Sequence, residues 1–319
     1  MKLLTYRLWG GYRAGLCWDD AHVLDIQRAG ALWAQYQPRT TARLWAELLL
    51  PADLQALLRR ETEGMRLLQE VVAFLQEKHQ QDPELLVSSG VLLPVSAIQF
   101  APPVRHPEKI LCLGRNYSAH AREAGASVPS FPEVFAKFAS CLIGHRQPIR
   151  LPRVSTRVDF EAELAVVIGR QTRYVTEEEA LNCVAGYTIF HDVSARDYQF
   201  MTSQWTLGKA FDTFAPMGPW IVTPDECPDP QQLRIRLQLN GEVMQEASTA
   251  EMVFPVATVI ARLSEVMTLQ PGDVIATGTP AGVGFVRTPP RFLQPGDVVR
   301  IEIERIGVLE NPVLPEEEA

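Results

Sequence analysis

The chain has 319 residues, of which 46% are hydrophobic and 21% charged, a composition typical of a globular protein with a large buried core. The formal net charge is −8 and no Lys/Arg cluster with interleaved aromatic residues occurs, which argues against nucleic acid as a partner. No apolar stretch approaches the about 20 residues that cross a bilayer, and no signal-type cleavage pattern follows Met1. We therefore expect a cytoplasmic protein with no membrane partner. Its five scattered cysteines, without a C-x-x-C pair, indicate reduced thiols.

The first part of the chain differs from the remainder. Short antiparallel strands are predicted at residues 2–9 and 21–26, separated by Gly10-Gly11 and by a polar turn at 18–20. Over residues 41–78, Leu, Val and Met recur at spacings of three and four, which predicts two helices that break at 51–53 and end before Asp82-Pro83. Catalytic residue types do not cluster here. We therefore predict a structural or lid-supporting domain over residues 1–104.

The remainder, residues 105–319, is predicted to be a catalytic domain rich in β-structure. Short apolar runs alternate with Gly- and Pro-containing turns, which indicates a β-rich barrel or roll with few helices. Strands are predicted at 109–113, 163–168, 185–190, 233–239, 273–277 and 297–303. Helices are predicted at 176–182, where Thr176 and Glu179 form a capping pattern, and at 256–267.

Glu161 and Glu163 stand one residue apart at the head of an apolar run that reads as a buried strand. Because side chains alternate along a strand, the two carboxylates share one face, while Phe160, Ala162 and Leu164 take the other. Two like charges next to a core are costly unless a cation lies between them, and a divalent ion is the simplest candidate. The alternative is a strand edge with two acids on its solvated side.

Asp192 supplies a possible third carboxylate at the end of the apolar run 185–190. Three protein carboxylates would leave coordination positions of Mg²⁺ open for water and a chelating substrate. Arg196, four residues on, is a candidate for binding a substrate carboxylate through its guanidinium fork. From spacing alone, a salt bridge from Arg196 to Asp197 or to one of the three acids is an equal alternative.

His120 and Glu123 are three residues apart in the segment 114–125, so on a helical turn they lie on one face. A carboxylate there can orient the imidazole as a general base, although a surface His–Glu pair is the simpler interpretation. Gly125 and the stretch 129–132 indicate a mobile segment that can close over a site.

Lys209 lies in an apolar and aromatic setting, where an ammonium group needs a nearby anion. The anion is either a metal-binding carboxylate or a substrate enolate. The glycine-rich segment 277–284 lacks the spacing of a P-loop or of a dinucleotide fingerprint. Its backbone amides and the Thr279 hydroxyl are candidates for binding a substrate carboxylate.

Five ordered motifs together resemble the fumarylacetoacetate hydrolase family over about residues 105–313. They are Gly-Arg-Asn-Tyr-x-x-His-x-x-Glu, Glu-x-Glu, His-Asp-Val-Ser-Ala-Arg-Asp, Leu-Gly-Lys-x-Phe-Asp-Thr-Phe and Thr-Gly-Thr-Pro-x-Gly-Val-Gly. Segments 135–140, 205–209 and 287–297 are most similar to the subgroup called fumarylacetoacetate hydrolase domain-containing protein 2.

The resemblance implies an α+β, mostly β, fold: a mixed β-sandwich roll with a small N-terminal α+β domain, paired as a homodimer. It implies Mg²⁺ or Mn²⁺ bound by Glu161, Glu163 and Asp192, and a base dyad of His120 and Glu123 on a lid that orders on ligand binding. Lys209 is predicted to stabilise the reacting anion. Predicted substrate contacts are Arg115, Tyr117, Lys137, Arg196, Gln199 and Thr279. Aromatic residues predicted to line the distal pocket are Tyr117, Phe138, Tyr198 and Trp205.

Members of the family act on 2-oxo acids and β-dicarbonyls that chelate the metal as enolates. The resemblance favours hydrolysis of a C–C bond in an acylpyruvate- or fumarylacetoacetate-type acid. Alternatives are enol–keto tautomerisation of oxaloacetate, decarboxylation, and isomerisation or hydration of 2-hydroxymuconate-type acids. A non-catalytic protein that binds 2-oxo acids is a further alternative of another class.

Overall fold

The structure of the protein is a computed structural model that describes residues 1–38 and 41–316. Its N-terminal part combines short strands with helices. In chain order these are β1 (Lys2–Leu8), β2 (Gly11–Cys17), β3 (His22–Asp25), α1 (Ile26–Gln35), α2 (Ala42–Leu49), α3 (Leu54–Leu58), α4 (Glu61–Gln81), α5 (Leu85–Ser88), β4 (Leu92–Pro94) and β5 (Gln99–Ala101).

The predictions for this part are confirmed in outline. The two predicted strands correspond to β1 and β3, and the predicted helical region breaks before Asp53 and ends at Gln81. The structure adds β2 and α1, and it divides the second predicted helix into α3 and α4. Glu61 at this division has φ of +47°, a left-handed conformation that a continuous helix does not allow. The spacing of apolar residues does not predict such a local break in a helix.

The remainder of the chain contains mostly strands. In chain order the elements are β6 (Ile110–Gly114), α6 (Ser118–Glu123), β7 (Glu133–Lys137), β8 (Leu142–Ile143), β9 (Ile149–Leu151), β10 (Val158–Asp159), β11 (Ala162–Ile168), α7 (Glu177–Ala180), β12 (Val184–His191), β13 (Ser194–Ala195), α8 (Arg196–Gln199), α9 (Thr206–Lys209), β14 (Ala215–Val222), β15 (Arg234–Leu239), β16 (Glu242–Ser248), α10 (Val256–Val266), β17 (Val274–Ala276), β18 (Val298–Ile303) and β19 (Gly307–Pro315). All six predicted strands and both predicted helices are confirmed within one or two residues, and the α+β class with mixed sheets is confirmed as well.

Strands from both parts of the chain join in one sheet. Its order is β4-β3-β2-β1-β14-β12-β11-β17-β6-β7, with β5 beside β1 and β8 beside β14. The junction is the antiparallel pairing of β1 with β14, where Leu3 lies opposite Ile221. A second sheet has the order β16-β15-β18-β19-β9. The domain boundary between residues 104 and 105 stays a prediction, because the two parts share a sheet.

Strand β11 separates two regions of the core because its residues are buried on both faces. Leu164 and Val166 pack into a cluster with the second sheet, whereas Ala165 and Val167 pack into a cluster with the N-terminal helices. Glu163 shares the alternation of Ala165 and Val167. The N-terminal helices thus cover the part of this face that lies beyond the acidic residues, and the structural or lid-supporting role of the N-terminal part stays a prediction.

Strands β12 and β14 pack closely at Gly186, and β12 leads to Asp192. A Cβ added at Gly186 would lie 2.3 Å from the Val222 carbonyl oxygen and 2.6 Å from Ile221 Cγ2. We expect Gly186→Ala to lower the free energy of unfolding by about 1–3 kcal/mol, because the two strands must separate to admit the methyl group. Urea denaturation followed by circular dichroism measures this change.

The matched control is Gly11→Ala, since a Cβ there meets nothing closer than the Leu8 carbonyl oxygen at 3.8 Å. Equal stability of the Gly186→Ala and Gly11→Ala proteins would show that β12 and β14 are not so closely packed.

Candidate metal centre

Two paired strands bring three carboxylates together. Glu161 and Glu163 lie at the start of β11, and Asp192 follows directly after β12. Ala162 lies opposite His191 in the ladder, and the Asp192 N–H donates to the Glu161 carbonyl at 3.0 Å. Each of the three acids offers a carboxylate oxygen within 4.8 Å of those of the other two, and all three side chains are buried. The predicted three-acid set is therefore assembled by strand register.

Two buried lysines contact the acids from opposite sides. Lys209 Nζ donates to Glu161 at 2.8 Å and to Asp192 at 2.7 Å. Lys137 Nζ donates to the other Asp192 oxygen at 2.6 Å and to the Val193 carbonyl at 3.0 Å. Burial works to lower the pKa of Lys209, but the charges of Asp192 and Glu161 outweigh it and raise the pKa. Lys209 therefore stays an ammonium ion. The anion that we predicted beside it is the acidic cluster itself.

Arg196 is committed to protein groups. Its Nε donates to Asp159 at 2.8 Å, one terminal nitrogen donates to the Gln199 side chain at 2.9 Å, and the other lies 2.6 Å from a Glu161 oxygen. This is the salt bridge to one of the acids, the alternative that spacing left open. The direct contacts of Arg196 and Gln199 with a substrate stay a prediction.

The three acids are not equally compensated by positive charge. Burial works to raise the pKa of Glu161, but the charges of Arg196 and Lys209 outweigh it and hold the pKa well below its usual range. At Glu163, burial and the charges of Asp192 and Glu161 raise the pKa well above its usual range. Glu163 forms no ion pair among the described residues, since its hydrogen-bond donor is a backbone N–H. Glu163 is thus the acid that an added cation would stabilise most.

The His120–Glu123 pair forms on the short helix α6 as the spacing predicts. His120 Nδ1 lies 2.9 Å from a Glu123 oxygen, and Glu123 also accepts the Gly282 N–H at 2.9 and 3.1 Å. With Nδ1 donating to the carboxylate, Nε2 carries the free electron pair of the neutral imidazole. The simpler surface-pair interpretation is not supported, because His120 is 8% exposed and lines the cavity beside the acids.

The glycine-rich loop binds the protein's own carboxylates. Gly278 N–H donates to Glu163 at 2.8 Å, Gly282 to Glu123, and Gly284 to Asp159 at 2.7 Å. Each of these three N–H groups already has a carboxyl partner within the protein, and the contact of the loop amides with a substrate carboxylate stays a prediction. The Thr279 hydroxyl remains beside the cavity.

A small cavity of about 40 Å³ lies among the predicted catalytic groups. It has room for an ion or a few waters, and the side chains of His120, Glu161, Glu163, Lys209 and Thr279 line it. Larger clefts, up to about 510 Å³, lie among the N-terminal helices, but in the described part of the chain no other group of His, Cys, Asp and Glu side chains meets as a metal site. The small cavity beside the three acids is therefore the candidate site because of its chemistry, although it is smaller than the other clefts.

The remaining predicted contacts occupy different positions. Arg115 lines the cavity and forms an ion pair with Glu133. Tyr117 lies in the core with a buried hydroxyl that has no partner among the described residues. Of the predicted distal aromatic residues, Trp205 lines the cavity and packs on Phe135, Tyr198 packs on Phe211, and Phe138 is half exposed.

Two buried polar residues that were not predicted from the sequence support the site. Asp159 accepts hydrogen bonds from Arg196 and the glycine-rich loop, and its signal was its position two residues before Glu161 on the same alternation. Gln245 on β16 bonds to Ala162 and Thr279 from the second sheet. A single glutamine in a strand carries no comparable signal.

The donor set fits a hard divalent cation. Three buried carboxylates supply oxygen ligands, which Mg²⁺ and Mn²⁺ prefer, and one of them lacks a cationic partner. Thiols do not contribute, because no cysteine belongs to this cluster.

Comparison with known proteins shows the family of the chain. The family model described as fumarylacetoacetate (FAA) hydrolase C-terminal matches residues 109–314. The chain belongs to the fumarylacetoacetate hydrolase family. Within the family, the mitochondrial oxaloacetate tautomerase of Xenopus laevis is 49% identical over 231 residues, which are 72% of this chain and 72% of that protein.

Solved structures of the fumarylacetoacetate hydrolase family are similar as well. The 2-hydroxyhepta-2,4-diene-1,7-dioate isomerase from Mycobacterium marinum is 42% identical, with a TM-score of 0.63 over 71% of this chain and 82% of that one. Maleylpyruvate hydrolase from Sphingobium sp. SYK-6, in complex with manganese(II) and pyruvate, is 31% identical, with a TM-score of 0.71 over 99% of this chain and 100% of that one. The protein is thus an enzyme of a family whose named members include tautomerases, isomerases and hydrolases.

The location of the enzyme stays a prediction. Among the residues that the structure describes, no helix is both long and apolar enough to cross a bilayer. The word mitochondrial belongs to the name of the Xenopus relative. The predicted homodimer likewise stays a prediction.

Replacing the least compensated acid tests the metal site. We expect Glu163→Gln to bind Mn²⁺ at least about 100-fold more weakly than the unmodified protein, because a neutral amide replaces one of three anionic ligands. Isothermal titration calorimetry measures the affinity. Glu246→Gln is the control, since Glu246 pairs with Arg236 on the surface at 2.9 Å and does not belong to the acidic cluster. Unchanged Mn²⁺ affinity in Glu163→Gln would refute the assignment.

Proposed function

We propose that the protein is an oxaloacetate tautomerase that interconverts the enol and keto forms of its substrate. The observation that carries this proposal is the 49% identity to the Xenopus oxaloacetate tautomerase over 231 residues. The predicted site residues all lie within residues 109–314, the region that the family model matches. From the sequence motifs, C–C hydrolysis is the first expectation and tautomerisation the second. The relatives support the reverse order.

The metal would be Mg²⁺ or Mn²⁺, held by Glu161, Glu163 and Asp192. When bound, such an ion places positive charge where the 2-oxo oxygen becomes negative, which lowers the energy of an enolate. The protein's own side chains carry out all other parts of the proposed mechanism.

His120 is the group that moves the proton. Glu123 holds Nδ1, so Nε2 is available to take a proton from C3 of the keto form, which leaves an enolate. In the other direction the enol loses its O–H proton to give the same enolate, and Nε2 returns a proton to C3. The Gly282 N–H fixes the Glu123 carboxylate in turn. The base therefore has one tautomer and one orientation towards the cavity that it lines.

Lys209 supplies positive charge to the same cavity. Two of its three N–H groups bond to Glu161 and Asp192, which leaves one donor for a negatively charged oxygen of the substrate. Phe135 lies 5.0 Å from the ammonium group and keeps this side of the site apolar. An enolate would thus develop its charge next to a fixed cation in a region with little water.

Hydrolysis of a C–C bond is the second candidate. The maleylpyruvate hydrolase supports it, because that protein is similar over 99% of this chain and binds manganese and pyruvate. Hydrolysis requires the same base to activate a water that attacks a second carbonyl group. The two reactions therefore differ in the products rather than in the ligand set. A non-catalytic protein is the least supported function, since the dyad and the acids are all present.

A parallel assay tests the proposal. With Mg²⁺ present, we expect rapid loss of the ultraviolet absorbance of enol-oxaloacetate while NMR shows intact oxaloacetate. Acetylpyruvate should not be cleaved. We expect His120→Asn to slow the tautomerisation about 10²- to 10⁴-fold, because the asparagine amide can still donate to Glu123 but provides no base at the position of Nε2.

The matched control is His22→Asn. His22 has the same spacing from an acid, with Nδ1 3.0 Å from Asp19, but it lies on the surface of the N-terminal part. Formation of acetate and pyruvate from acetylpyruvate, lost in His120→Asn but not in His22→Asn, would instead establish the hydrolase.

A further inference from the structure

Gln245 connects three parts of the site from the second sheet. It lies on β16, is 1% exposed and forms three hydrogen bonds. Its Nε2 donates to Thr279 Oγ1 at 2.9 Å and to the Pro280 carbonyl at 2.8 Å, and its Oε1 accepts the Ala162 N–H at 2.9 Å. Ala162 stands between two of the three acids, and Thr279 lines the cavity.

The orientation of the Gln245 amide follows from its neighbours. The Pro280 carbonyl can only accept a hydrogen bond, and the Ala162 N–H can only donate one. Turning the amide over would place oxygen against oxygen and N–H against N–H inside the protein, which is strongly unfavourable. The second hydrogen of Nε2 must therefore point at Thr279 Oγ1.

This orientation determines the role of the Thr279 hydroxyl. Because Oγ1 accepts from Gln245, its own hydrogen is free for another partner. Among the described residues, the Thr279 hydroxyl donates to no group, and it lies beside the cavity that Lys209 and His120 line. Its hydrogen is thus available to an oxygen in that cavity.

We infer that Gln245 is a positioning residue that makes the Thr279 hydroxyl a donor towards the ligand. A donor there favours a ligand oxygen that only accepts, as in a carboxylate or enolate, over a hydroxyl or amide N–H. The inference deepens the proposed function, since it concerns the substrate of the same site. Its basis is the geometry of Gln245, and it holds for any reaction on a 2-oxo acid.

A double-mutant cycle tests this role, with oxalate as the probe because both of its ends are carboxylates. Oxalate affinity is measured by calorimetry on Mn²⁺-saturated protein, so the result does not depend on turnover. We expect Thr279→Val and Gln245→Glu each to weaken oxalate binding about tenfold or more. In Gln245→Glu, the new carboxylate accepts a hydrogen bond from the Thr279 hydroxyl. The hydrogen of this hydroxyl is then no longer available to the ligand.

The decisive result is the double variant. In a Thr279→Val background we expect the part of the Gln245→Glu loss that depends on the hydroxyl to disappear, which leaves only the repulsion between the new charge and oxalate. Equal losses in both backgrounds would overturn the inference, as would oxalate binding that is absent from the unmodified protein or unchanged in Gln245→Glu. Gln245→Met serves the same cycle if Gln245→Glu does not fold, with a smaller loss that also disappears in the Thr279→Val background.

Two further measurements separate positioning from general damage. Mn²⁺ affinity should not fall in Gln245→Glu, because the added negative charge favours a cation, whereas a purely structural disturbance of Ala162 would lower it together with oxalate affinity. Gln238→Glu, on the neighbouring strand β15 with its amide bonded to the Gly241 carbonyl, is the control for the added charge. The proposed function is judged separately on oxaloacetate, so a protein that passes the oxalate cycle and fails the tautomerase assay retains the inference and loses the proposed reaction.

Discussion

The structure depends on the compensation of negative charge at three buried carboxylates, whose oxygens lie within 4.8 Å of one another. Like charges at this distance repel strongly when little water surrounds them. Three cationic groups compensate this negative charge: the ammonium groups of Lys137 and Lys209 and the guanidinium of Arg196. Each contacts one or two of the acids. Among the described residues Glu163 is left without such a partner, and burial together with the two neighbouring charges raises the pKa of its carboxyl.

The glycine-rich loop is the second support of the site. It provides backbone N–H groups to carboxylates of the metal set, of the base dyad and of Asp159. Side chains at these positions would collide with their neighbours: a Cβ at Gly284 would lie 1.8 Å from the Arg291 carbonyl oxygen. Glycine is required here because the backbone itself must approach the anions.

Much of the architecture could be predicted from the sequence. Strand alternation placed Glu161 and Glu163 on one face, and helical spacing paired His120 with Glu123, because both rules act over a few residues. Long-range contacts carried no such signal. The pairing of β1 with β14, the commitment of Arg196 to Asp159 and the reach of Gln245 from the second sheet each join residues that are distant in the chain. Only the folded arrangement decides which of several candidate partners a buried charge contacts.

The double attachment of Glu123 has a mechanical consequence. One carboxylate joins the imidazole of helix α6 to the backbone of the glycine-rich loop, so helix and loop move as a single body or separate at this point. If the helix swings away to admit substrate, the loop N–H no longer holds Glu123 and the imidazole loses its fixed alignment. In the proposed reaction, proton transfer by His120 would then be confined to the arrangement in which Glu123 holds both the imidazole and the loop.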